Sequence, residues 1–194
     1  YRLASSKIKL KNKIKEDQDI VIPWRALDEF QKIISAGSKQ ITLILGKNQA
    51  IFKLDDIILI SRLLEGQFPN YQQLLPTEFT ITAEIRREDL VAAVTRASLI
   101  AQKNQSVKLN LTDKKLTISA QSAGIGETTE DLGIKSTKGT EIEIAFNSQY
   151  LLDGAASVST DTVILELNNS VSPGLIKSLK NNDSLYLIMP IRVN

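Results

Sequence analysis

Gly66-Gln67-Phe68-Pro69-Asn70-Tyr71-Gln72-Gln73-Leu74-Leu75-Pro76 and, far downstream, Tyr186-Leu187-Ile188-Met189-Pro190-Ile191-Arg192 are the stretches whose reading decides this chain. Each reads as a strand running into exposed apolar and proline residues, with no catalytic side chain beside it. Around them lie short alternating strands: Ile41–Leu45, Ala50–Leu54, Ile57–Ser61, Val107–Leu111, Lys115–Ser119, Val163–Leu167 and Leu185–Met189. Turn residues such as Gly46-Lys47-Asn48 and Thr112-Asp113-Lys114 separate them. Three helices interrupt the strands. The last has a clear start signal, with Asn147 as N-cap and Phe146 placed to staple onto Leu151. Strand-rich units with one or two helices each make the chain α+β.

The pattern repeats. Ile20-Val21-Ile22-Pro23 before Trp24–Phe30 is a strand, a break and a helix, and Glu141–Phe146 before Asn147–Leu152 has the same order. Ile41–Leu45 then matches Val163–Leu167, so the period is about 120 residues, the size of a small domain. Residues 78–139, with a strand near Phe79–Ala83 and a helix near Arg86–Ala101, form the first half of the second unit. No such half precedes Ile20. The expected division is therefore 1–77, the back half of one domain, and 78–194, a whole one, in a chain that is a fragment.

Composition narrows the function by exclusion. The 194 residues carry a net charge of only +2, weaker than a groove-gripping nucleic-acid binder usually shows. There is no cysteine, which removes disulfides and thiolate metal sites and fits a reducing cytoplasm. There is no histidine, which removes Ser-His-Asp and Cys-His nucleophiles. No apolar run approaches the ~20 residues that cross a bilayer, so no membrane role is expected. No phosphate-binding glycine loop ending in Lys-Ser/Thr occurs, and Gly124-Ile125-Gly126 reads as a loop or a strand irregularity. Asp55-Asp56 and Glu130-Asp131 read as strand neighbours that point to opposite faces, and Glu141 with Glu143 as a polar strand face. No cofactor, metal or catalytic residue is expected.

Counted at 100° per residue, the helix near Arg86–Ala101 sets Leu90, Ala93, Val94, Ala97 and Ala101 on one side. Arg96, Leu99 and Lys103 fall on the other. An outward Leu99 beside Ile100 reads either as a single exposed leucine or as a protein–protein contact.

Four segments, in order, resemble the bacterial DNA polymerase III beta subunit, the sliding clamp. Tyr1-Arg2-Leu3-Ala4 is similar to the family's strand after a Thr-Asp-Gly turn. Phe68-Pro69-Asn70-Tyr71 with Leu74-Leu75-Pro76 is similar to its link between second and third domains. Phe146-Asn147-Ser148-Gln149-Tyr150-Leu151-Leu152-Asp153 resembles its Phe-Asn-x-x-Tyr-Leu helix entry. Ser172-Pro173 and Tyr186–Arg192 resemble its closing strands and Met-Pro-Met-Arg end. Three positions depart from the pattern: Gln73 stands where a basic residue is frequent, Ile191 replaces a frequent Met, and Val193-Asn194 extend past the usual end.

The resemblance implies a DNA-clamp fold: repeated modules of antiparallel sheets with helices on one side. It implies a non-catalytic processivity factor that encircles duplex DNA without reading sequence. Its implied partners are the polymerase III catalytic subunit, the clamp loader and other clamp-binding-motif proteins, with a homodimer when full length. The implied peptide pocket comprises Arg2, Leu3, Pro69, Leu74, Pro173, Leu187, Met189, Pro190, Ile191 and Arg192. The implied dimer interface takes Leu99, Ile100, Glu127, Glu130 and Asp131. Arg25, Lys32, Arg96 and Lys103 would face DNA. The competing reading is a generic α+β ligand-binding module or a carboxylate-based small-molecule enzyme, which predicts a closed pocket with clustered Asp and Glu.

Overall fold

The computed structural model describes residues 1–10, 17–34, 40–139, 141–179 and 183–192. Val193 and Asn194 lie outside the described residues. In chain order the first elements are β1 (Arg2–Ser6), α1 (Trp24–Ile34), β2 (Thr42–Leu45), β3 (Gln49–Leu54) and β4 (Ile57–Arg62). Next come β5 (Ile81–Arg86), α2 (Arg87–Ile100), β6 (Ser106–Leu111), β7 (Lys115–Ser122), β8 (Gly126–Gly133) and β9 (Lys135–Lys138). The chain closes with β10 (Ile142–Asn147), α3 (Ser148–Ala156), β11 (Thr162–Leu167), β12 (Gly174–Ser178) and β13 (Ser184–Ile188). Two compact units result: Tyr1–Lys9 with Gln72–Asn194, and Leu10–Tyr71.

The larger unit has two antiparallel sheets, ordered β1-β13-β12-β11-β5-β9 and β10-β6-β7-β8. Their alternating strands send one face inward: Val163, Leu165 and Leu167 from β11, and Leu109, Leu111, Leu116 and Ile118 from β6 and β7. The stripe expected on α2 is buried there, with Leu90, Ala93, Val94, Ala97 and Ala101 all in the same core. Asn147 caps α3 by accepting from the Tyr150 backbone N–H, while Phe146 and Leu151 are both buried in that core. Gly154 lets α3 sit close on the sheet. A Cβ there would lie 2.7 Å from Ile176 and 2.8 Å from the Tyr186 ring.

The smaller unit is a three-stranded sheet, β2-β3-β4, with α1 against one face. Its core is small: Phe30, Ala50 and Phe52, flanked by half-buried residues including Ile22, Leu45, Leu59 and Leu63. The Phe30 and Phe52 rings stack with centroids 4.3 Å apart.

Several expectations shift. Gly66–Pro76 contains no strand; Tyr71–Leu74 is a 3-10 turn instead, since prolines at 69 and 76 withdraw ladder donors. Ile20–Pro23 contributes only an isolated bridge, Val21 to Leu64. The strand expected at Phe79–Ala83 runs from Ile81 to Arg86. Asp55 and Asp56 form the β3–β4 hairpin turn rather than strand, with Asp55 at φ 49°. Gly124 and Gly126 take φ of 81° and 137° at the turn into β8.

Candidate functional site

Strand β1 lies antiparallel on β13, with Leu3 opposite Leu187 and Arg2 opposite Ile188. Leu187 in turn faces Leu175 on β12. The Met189 N–H donates to the Tyr1 carbonyl at 2.9 Å, carrying the pairing one step beyond the strand. Alternation therefore sets Leu3, Leu175, Leu187 and Met189 on the face away from the helices. Leu187 is only 3% exposed, so Met189, at 37%, and half-buried Leu3 offer the accessible apolar surface.

Arg2 and Leu3, grouped in one pocket from sequence, project from opposite faces of β1. The Arg2 guanidinium turns to α3, where it pairs with Asp153 and stacks 4.4 Å from the Tyr150 ring centroid. Gln149 donates to the other Asp153 oxygen at 2.9 Å. Burial pushes the neighbouring Tyr186 phenol above its ordinary pKa. Nearby Arg2 pulls the other way, although among the described residues no hydrogen bond of good geometry joins the Tyr186 hydroxyl to a partner.

Beyond Met189 the chain crosses to the second sheet. The Ile191 N–H donates to the Ala145 carbonyl of β10 at 2.7 Å. This crossing closes one side of a cleft of about 350 Å³ lined by Glu143, Ala145, Ser170, Val171, Ile191 and Arg192, with Ile144 at its floor. Glu143 is neutralised by Lys108 at 3.0 Å, whereas Arg192 is exposed and has no ion-pair partner among the described residues. The cleft thus carries one net positive charge. Pro173 and Pro190 are half-buried, and Leu74 is exposed in the 3-10 turn. Pro69 belongs to the smaller unit, where it is exposed. Sequence reading missed Val171. Its signal was an isolated apolar residue in a polar loop, immediately before Ser172-Pro173.

The other expected sites are redistributed. Leu99 is 61% exposed on α2, while Ile100 packs half-buried against the core. Glu127, Glu130 and Asp131 all lie on β8, the last strand of its sheet. Glu130 reaches back to α2, where Arg96 Nε donates to it at 2.9 Å and a second guanidinium nitrogen completes a bidentate pair. Arg96, assigned to DNA, and Glu130, assigned to an interface, are therefore partners here. The Arg96 hydrogen bond holds the Glu130 carboxyl below its usual pKa. Hydrogen bonds from Thr117 and Lys115 do the same for Asp131. On α1, Lys32 pairs with Glu29 at 2.8 Å and Asp28 at 2.9 Å, which raises its pKa, while Arg25 is exposed. Lys103 is exposed in the turn after α2.

Among the described residues no three His, Cys, Asp or Glu side chains are grouped to hold a metal ion. Among the same residues no helix is long and apolar enough to cross a membrane.

Two family models match the chain: "DNA polymerase III beta subunit, central domain" over residues 1–70, and "DNA polymerase III beta subunit, C-terminal domain" over residues 72–192. A curated relative, the beta sliding clamp of Staphylococcus aureus, is 32% identical over 194 residues, covering 99% of this chain and 51% of its own. The chain thus spans about half the length of the curated relatives it matches. The sliding clamp of Bacillus subtilis superposes with a TM-score of 0.94 at 27% identity, over 100% of this chain and 52% of that one. The clamp of Bartonella birtlesii, solved bound to griselimycin, superposes with a TM-score of 0.92 at 30% identity, over 99% and 52%.

Proposed function

The chain belongs to the DNA polymerase III beta subunit family, and from that premise we propose that it serves as part of a non-catalytic DNA polymerase processivity ring. The full-length ring would encircle duplex DNA and tether the polymerase III catalytic subunit, the clamp loader and other motif-bearing proteins. Tethering keeps a dissociated polymerase at high effective concentration beside its template. Residues 1–77 are read as the back of the middle module and 78–194 as the third.

The observation that carries this reading is the path of residues 187–192. One short segment finishes a six-stranded sheet, exposes Met189, crosses to β10 and ends on Arg192, which has no ion-pair partner among the described residues. Apolar surface beside a cleft of single charge suits an extended peptide with apolar anchors. Met adapts its shape to different anchors. Pro190 and Ile191 belong to the segment, Leu3 and Pro173 are read as flanking it, and Leu74 and Pro69 are read as further members of the pocket. Arg2 is assigned a supporting part, holding α3 to β1 through Asp153 and Tyr150.

For DNA, the charge pairing ranks the four cations. Lys32 and Arg96 are held by carboxylates. Arg25 and Lys103 have no ion-pair partner among the described residues and are the better phosphate neighbours. Strand β8 presents an outer edge that another chain's strand can extend, with Leu99 nearby on α2.

The test is calorimetry of this chain with a short polymerase-tail peptide. Met189→Ala and Arg192→Ala are each expected to weaken binding roughly tenfold, the scale of an interface anchor. Unchanged affinity in both variants would sink the pocket.

A further inference from the structure

The crossing that closes the cleft of the larger unit is made a second time. In the smaller unit the Leu64 N–H donates to the Val21 carbonyl at 2.8 Å, as Ile191 donates to Ala145 at 2.7 Å. The surrounding registers agree. Leu43 pairs with Phe52 and Ala50 with Ser61, as Leu165 pairs with Ile176 and Gly174 with Ile188. Counting on from Ser61 and Ile188 makes Ile60 the counterpart of Leu187, and Glu65 that of Arg192. Counting back from Val21 and Ala145 makes Asp19 the counterpart of Glu143.

This second crossing borders a cleft of about 410 Å³, wholly within the smaller unit. Its apolar lining is Ile20, Val21, Leu63 and Leu64, and its charged lining is Asp19, Glu65 and Lys47. Leu64 is exposed, as is Ile60 on the preceding strand. The electrostatics are reversed. In the larger unit Lys108 cancels Glu143, and Arg192 has no ion-pair partner among the described residues. In the smaller unit neither Asp19 nor Glu65 has an ion-pair partner among the described residues, and Lys47 offsets only one of them.

We propose that the smaller unit carries a second docking cleft, for an extended peptide that sets an apolar side chain beside a lysine or arginine. The apolar anchor rests on Leu64 and Ile20, and the cation meets Glu65 and Asp19. The same architecture thereby offers two clefts that sort peptides by charge. The proposal borrows its build from the peptide reading of the larger unit, but its test has a separate arm.

Two labelled synthetic peptides, one with Asp beside Leu-Phe and one with Lys beside Leu-Phe, are titrated against the whole chain by fluorescence anisotropy. Glu65→Lys is expected to weaken the basic peptide roughly fivefold and leave the acidic one unchanged; Arg192→Glu is expected to do the reverse. Glu65→Gln, which preserves shape, should weaken the basic peptide by about twofold. Far-UV circular dichroism checks that each variant is folded. Failure confined to the Arg192 arm strikes the peptide reading of the larger unit alone. The second cleft is overturned if the basic peptide does not bind, or if neither Glu65 variant alters its binding. It is also overturned if sedimentation shows a dimer that Leu64→Asp dissolves, because a second copy then fills the cleft.

Discussion

Helix α1 on β3 and helix α3 on β12 are one packing contact built in two ways. Val21 and Ala145 occupy equivalent crossings; counting on from them makes Phe30 the counterpart of Gly154, and the strand registers make Phe52, opposite Leu43, that of Ile176, opposite Leu165. In the smaller unit Phe30 stands between helix and sheet, its ring on Phe52. In the larger unit the helix comes so near that a Cβ at 154 would collide with Ile176. At this position the two units thus differ by one side chain: an aromatic ring fills the contact in one, and a glycine leaves it bare in the other. The larger unit closes over many aliphatic residues; the smaller leans on one aromatic pair.

The largest test of that difference is to remove the spacer. Phe30→Ala deletes most of a core of three buried residues, and a buried Phe-to-Ala change costs about 3–5 kcal/mol. Trp24, the chain's one tryptophan, sits at the start of α1 and reports on this unit. Urea unfolding followed by Trp24 fluorescence should shift to much lower denaturant. The far-UV transition of the sheets in the larger unit should move far less. Coincident shifts would mean that the two cores unfold as one.

The reverse change inserts a spacer where none fits. Gly154→Val is expected to destabilise the larger unit by about 1–3 kcal/mol, as overpacking does. The valine recovers only a few tenths of a kcal/mol of helix propensity relative to glycine, so the collision with Ile176 and Tyr186 decides the sign. Thermal melting by circular dichroism measures it, and an unchanged midpoint would show that α3 can simply lift.

The helix starts differ too. Asn147 caps α3 through its side chain, whereas α1 follows Pro23, whose carbonyl accepts from Ala26 at 3.0 Å. Asn147→Ala should cost about 1 kcal/mol and Asn147→Asp much less, in the same melting experiment. Asn147 also donates to Gln105 at 2.9 Å, so Gln105→Ala should account for part of any loss beyond the cap.

What was legible in the sequence follows this division between local and long-range causes. The α2 stripe, the Asn147 cap and most strands were readable because they depend on spacing within a few residues. Strand β8, Gly126-Glu127-Thr128-Thr129-Glu130-Asp131-Leu132-Gly133, was not set out as a strand in its own right. It has almost no apolar alternation, and its place comes from pairing along β7 and from Arg96. The reading of Gly66–Pro76 as strand gave too little weight to two prolines. That Arg2 turns to α3 while Leu3 turns away follows from the two-residue period of a strand, but its partner Asp153 is a long-range contact that adjacency in sequence does not show. Burial was the least readable property. Leu187 and its counterpart Ile60 sit in like strands, yet one is 3% exposed and the other 61%. Alternation tells which residues share a face, not what covers it.

The smallest expected effect separates the units by acid. Arg96 on α2 has a partner in Glu130 on β8, while Arg25 on α1 has no ion-pair partner among the described residues. Because the Arg96 hydrogen bond lowers the folded pKa of Glu130, the carboxylate binds its proton less readily in the folded chain than in the unfolded one. The pair's contribution is therefore present above the unfolded value near 4.5 and is lost as pH falls through the lower folded value. Both side chains face solvent, so the change in stability is slight and weakens further with salt. Carboxyl chemical shifts should show Glu130 titrating below 4.5, and Arg96→Gln should return its midpoint toward that value. A Glu130 midpoint unmoved by that substitution would break the link between α2 and the β8 edge, leaving the edge strand's order to its pairing with β7 alone.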